Sequence, residues 1–163
     1  MIKKLVLNYK SSNLNKKHVV QPVSYSKAST VGIIYNEAEF GKDTINRLFM
    51  ELTNDQKKVA RICLTKDVEL NNNSFLEKEV SFTGAIKNEY LQKFIQQPFD
   101  IVISLCTAGN HVYDYILSQT KAKLRVSLAT PEGNAFADLE VKPTTTTSAI
   151  KDLMTYLKKV EHD

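Results

Sequence analysis

Along this chain the apolar positions fall into short runs and stripes whose period alternates between that of a strand and that of a helix. Thr30–Tyr35 (TVGIIY) is a nearly continuous apolar run, as a strand buried on both faces should be. After a turn containing Gly41, Ile45, Leu48, Phe49 and Leu52 keep helical spacing, with Asp43 near the start of that helix. Lys58–Leu64 predicts a second strand through Val59, Ile62 and Leu64, Asn71–Asn73 an exposed loop, and Val80–Phe82 a short strand. Over Glu89–Gln97, Leu91, Phe94 and Ile95 line one helical face, and Pro98 ends the helix. The strongest segment is the strand Phe99–Leu105 (FDIVISL), followed by a tight connection Cys106–Asn110 and a short helix His111–Ser118 carrying Val112, Tyr115 and Ile116. Leu124–Ala129 is another strand, Pro131–Asn134 a turn and Asp138–Val141 a last short strand. Thr144–Thr147 offer N-caps to a closing amphipathic helix with Ile150, Leu153, Met154 and Leu157 in register.

Strands that alternate with helices are βαβ units, so the pattern predicts a mostly parallel sheet covered on both faces. Right-handed crossovers make that a doubly wound, Rossmann-like α/β sandwich. The expected organisation is a single α/β domain over residues 30–163, preceded over residues 1–29 by a basic arm and linker. Inside the arm, Ile2, Leu5, Val6 and Tyr9 stand at i, i+3, i+4 and i+7, which predicts a helix whose contact face is that stripe. Lys3, Lys4 and Lys10 lie mostly off the stripe. Pro22 breaks any continuing helix, and Val19–Ser29 reads as an extended linker into the first core strand.

Composition narrows the class. With 163 residues, 42% apolar and 25% charged, the chain has the make-up of an ordinary globular domain able to bury its own core. Two cysteines, no tryptophan and the dispersed histidines 18, 111 and 162 exclude a disulfide framework and a zinc finger. No apolar run is long enough for a transmembrane helix, and Leu5–Leu7 is too short for a signal-peptide core. A cytoplasmic location is the resulting expectation.

Charge changes the picture more. The first 36 residues hold six lysines and no acid, and Glu37 is the first carboxylate. Of the chain's 22 basic and 18 acidic residues, the remainder keeps 16 and 18, so the positive end sits on a slightly acidic body. Such asymmetry predicts a basic arm that meets a polyanion through Lys3, Lys4, Lys10, Lys16 and Lys17. RNA or a ribonucleoprotein is the leading expectation, and an anionic membrane surface is a second. The bland reading is a docked amphipathic helix with solvated lysines.

Candidate chemistry adds little. A parallel sheet binds ligands beyond the carboxyl ends of its strands, where the turns Asn36–Lys42, Cys106–Asn110 and Thr130–Asn134 are expected. They nominate a pocket made of Asn36, Cys106, Gly109, Asn110, His111, Gly133 and Asn134. None of the turns has the glycine spacing of a dinucleotide loop or a P-loop, and Asp43 after Gly41-Lys42 would repel phosphate. Cys106 with His111 is the sharpest catalytic pair, if a helix N-terminus lowers the thiol's pKa; otherwise Cys106 is a half-buried turn residue. Cys63 reads as core. Asp100 and Asp114 read as solvated carboxylates, and Lys121, Lys123 and Arg125 as the polar side of a partly exposed strand. No reaction is specified: no catalytic residue, cofactor or metal site is assigned, and the balance leans away from an enzyme.

Pro98–Val126 (PFDIVISLCTAGNHVYDYILSQTKAKLRV), with its FD-led strand, short helix and KAK leading into a strand, resembles an uncharacterised bacterial family of small α/β proteins. The lysine-rich start, the VGIIYNEAEF strand and turn and the closing YLKKV helix agree with it. That resemblance implies a fold and carries no activity. The same segment is distantly similar to the N-terminal, Rossmann-like half of heptosyltransferase-type glycosyltransferases, with Thr120 where those have the glycine of a GAK. Those enzymes hold their donor mainly through a second domain, so this likeness implies a solitary binding or scaffold domain. Three readings follow: a non-catalytic module whose arm contacts RNA, an enzyme or receptor for a small phosphorylated or sugar-like ligand at the strand ends, and a homo-oligomeric structural domain.

Overall fold

The computed structural model describes residues 1–66 and 73–160. Its one sheet contains β1 (Thr30–Asn36), β2 (Lys58–Thr65), β3 (Ser74–Leu76), β4 (Pro98–Leu105), β5 (Lys121–Leu128) and β6 (Leu139–Val141). Every pairing is parallel, in the order β3-β2-β1-β4-β5-β6. This is the order of the doubly wound Rossmann fold, with its reversal between β1 and β4. The helices are α1 (Ile2–Asn15), α2 (Lys42–Asn54), α3 (Glu89–Gln96), α4 (His111–Gln119) and α5 (Ala149–Lys159).

The sheet is apolar on both faces because its central strands carry apolar side chains on both sides through their middles. Val31, Ile33 and Tyr35 of β1 join Ile101, Ile103 and Leu105 of β4 under Leu48 and Leu52 of α2 and Leu153 and Leu157 of α5. Ile34 and Val102 face the other way, towards Leu91 and Phe94 of α3 and Val112 and Ile116 of α4. Gly32 lies on that second side. A Cβ there would stand 3.0 Å from Phe94 and 3.1 Å from Phe99, so the absent side chain lets those two rings close over β1.

Several expectations shift in detail. Val80–Phe82 is not a strand: Val80 makes a single antiparallel bridge to Ile86 around the turn Ser81–Gly84, and Val80 itself is buried. The edge strand β3 was not foreseen, being only three residues long. Of the asparagine loop, Asn71 and Asn72 lie outside the described residues, as does His162. The threonines before α5 do not cap it directly; Ser148 takes the cap position, and Asp152 accepts the Thr144 amide at 2.8 Å. Arg125 is not on an exposed strand side but 3% exposed, although Lys121 and Lys123 of the same strand are solvated as expected.

The largest correction concerns α1. The helix exists, but it is rolled: Ile2, Leu5 and Tyr9 are 71%, 63% and 70% exposed, while Leu7 is fully buried. Its inward side is Leu7 and Ser11, whose hydroxyl returns to the Leu7 carbonyl at 2.8 Å. Leu7 joins the second core cluster with Val112, Tyr115 and Ile116 of α4, so α1 forms an outer layer over α4. Serines, asparagines and a missing side-chain N-cap make α1 a weak helix by propensity, so its packing holds it.

Candidate binding surface

The crevice at the β1/β4 reversal is where this fold places ligands. Here it is occupied from within. Glu39, in the turn after β1, accepts from the Thr107 amide at 2.8 Å and from the Thr107 hydroxyl at 2.7 Å. The Cys106 thiol donates to the same carboxylate at 3.5 Å. A carboxylate at this point opposes any phosphate seeking the start of α4. Burial and the neighbouring Glu39 push the Cys106 thiol up to about 12, the reverse of what a nucleophile needs.

The asparagines expected to converge on a pocket are each engaged locally. The side-chain oxygen of Asn36 accepts from the Ala38 amide, that of Asn110 caps α4 at the Val112 amide, and that of Asn134 accepts from the Phe136 amide. Gly109 and Gly133 have left-handed backbones that close their turns. A cleft at this end of the sheet runs instead between the starts of α2 and α5, along Glu39, Phe40, Gly41, Thr44, Thr146 and Thr147. His111 opens α4, and burial draws its imidazole pKa down. Asp114 on the same helix is pushed up to about 6, by burial first and by Glu132 next, with Lys4 opposing. Among the described residues no group of three or more His, Cys, Asp or Glu side chains could hold a metal.

The arm is built into the body along its length. Lys3 Nζ donates to the Glu77 carbonyl at 2.9 Å, and Lys10 Nζ to the Thr83 carbonyl. At the far end Asn15 Nδ2 donates to the Ala135 carbonyl at 3.2 Å, and Asn15 Oδ1 accepts from the buried Arg125 at 3.3 Å. Arg125 also donates to the carbonyls of Ser118 and Thr120 at the end of α4, at 3.1 and 3.0 Å. The start of α1 lies near His111 and its end near Thr120, so the two helices run in the same direction. Lys4, Lys16 and Lys17 are exposed, and their ammonium groups make no hydrogen bond or ion pair with a described residue.

Comparison with known families settles where the chain sits. A model described as a family of unknown function (DUF6913) matches residues 3–160. The chain belongs to the DUF6913 family. No curated protein matches it. DUF6913 membership thus covers α1 as well as the sheet, and it brings no activity with it.

Two residues that matter most in this geometry were not singled out for it from sequence. Glu39 sits in a turn inspected for glycines, and a lone acid there gives no signal until the turn is folded over β4. Arg125 stands between Leu124 and Val126, the alternation that a solvated strand residue would also show. Only its bonds to Asn15 of α1 and to the Ser118 and Thr120 carbonyls at the end of α4 make it a buried clamp.

Proposed function

We propose that this DUF6913 protein is a non-catalytic binding module that takes an anionic partner on α1. The supporting observation is a helix without a single acid, fixed to the body by Lys3 and Lys10, that leaves Lys4, Lys16 and Lys17 exposed and unpaired. A helix so fixed presents its charge without an ordering cost at the moment of binding. Glu39 in the β1/β4 crevice weighs against a nucleotide-sugar site of the kind the glycosyltransferase resemblance implies, and the raised thiol of Cys106 weighs against nucleophilic chemistry.

Retention on immobilised heparin, a generic polyanion, tests the reading. Salt should elute the protein, and the triple variant K4E/K16E/K17E should elute at much lower salt while keeping its circular dichroism spectrum. No retention at low salt, or equal retention of the variant, overturns the proposal.

A further inference from the structure

We infer that the anionic partner is a lipid bilayer surface, on which α1 lies flat; this rests on the reading just given and names its partner. At ~100° per residue, Ile2, Leu5, Tyr9, Ser12 and Lys16 share one side of α1, opposite Leu7, Ser11 and Leu14. That outward side holds three large apolar side chains, Ile2, Leu5 and Tyr9, all in solvent, which a helix that merely covers a core does not need. Six of the ten exposed large apolar side chains among the described residues lie within the first twenty positions: Met1, Ile2, Leu5, Tyr9, Val19 and Val20. Phe82, also exposed, sits beside Thr83 in the turn that Lys10 grips.

Charge decides among occupants. Lys4 flanks the stripe on one side and Lys10 on the other, and Lys16 and Lys17 follow directly past the end of the helix. A second copy would bring two acid-free lysine helices face to face, which like charge opposes. RNA would use the lysines and leave Ile2 and Leu5 in water. An anionic bilayer uses both features at once. Headgroup phosphates meet the lysines, Ile2 and Leu5 enter the acyl boundary, and Tyr9 sits at the interface with its phenol among the headgroups. Among the described residues no helix is long and apolar enough to cross a membrane, which fits attachment to the surface.

The test is sedimentation of the full chain with phosphatidylglycerol–phosphatidylcholine vesicles and with phosphatidylcholine alone. The chain has no tryptophan, so Tyr9→Trp supplies a single reporter. Binding only to the anionic vesicles, weakening with salt, with a blue shift of that tryptophan, is the expected result. The double variant L5S/Y9S should bind at least about tenfold more weakly, with an unchanged melting temperature because both positions face solvent. Absence of binding to anionic vesicles at low salt, or an L5S/Y9S variant that binds equally well, overturns the lipid assignment. Retention on heparin or on single-stranded RNA that L5S/Y9S leaves intact, together with no vesicle binding, overturns it too, while the anionic-partner reading stands.

Discussion

His18 Nε2 lies 3.0 Å from Asp138 Oδ2, the oxygen that also accepts the backbone amide of Arg125 at 2.7 Å. The pair joins the segment just past α1 to the entry of β6, and both side chains are largely shielded from water. Replacing His18 with alanine should cost about 1–2 kcal/mol. Replacing Asp138 should cost more, because the Arg125 amide then loses its partner. Amide exchange should speed up in α1 in both variants while the centre of β4 stays protected, and hydrogen-exchange mass spectrometry reads this directly. Equal protection of α1 in H18A would count against the pair as a mooring.

Leu7, not the predicted stripe, should carry the stability of α1. Leu7→Ala removes a fully buried side chain between α1 and α4 and is expected to cost about 2–4 kcal/mol in urea unfolding. Ile2→Ser and Leu5→Ser should stay within about 0.5 kcal/mol of the parent. The opposite ranking would mean that the helix docks by its other side.

Asp114 gives the fold a pH dependence of known sign. Its carboxyl is raised from 3.8 to about 6, by burial and then by Glu132. The native state therefore holds a proton that the unfolded chain has released, so the group's contribution to stability falls as pH rises from about 4 to about 6 and is level above that. Asp114→Asn should stabilise the protein by about 1–2 kcal/mol at pH 7 and have little effect at pH 4. Thermal melts of both proteins across that range check it.

Neither cysteine should react in the native state. Cys106 is buried with its thiol pushed up to about 12, and burial raises the Cys63 thiol as well. Iodoacetamide at neutral pH should label neither thiol without denaturant and both within minutes in it. Rapid native labelling of Cys106 would reopen the nucleophile reading.

The sheet was legible because its central strands are buried on both faces, which leaves apolar runs such as TVGIIY and FDIVISL that no exposed element would carry. What escaped was whatever depends on a third layer. The period of Ile2, Leu5, Val6 and Tyr9 reported a helix correctly, yet the helix turns the other way because α4 offers room for a leucine and a serine. A buried serine leaves no apolar trace in a sequence. The strand-end asparagines were legible as turn residues and nothing more. Their side chains satisfy nearby amides, and a local hydrogen bond looks the same in sequence as a ligand contact.

The clamp of Asn15 by Arg125 spans 110 positions, and the His18–Asp138 contact spans 120. During synthesis α1 is therefore made long before its mooring exists, and it can settle only after β5 and the entry to β6 have emerged. Through that interval the unpacked segment exposes Leu7 together with Ile2, Leu5 and Tyr9. An amphipathic segment waiting in that state is open to a chaperone before the domain has closed over half of it.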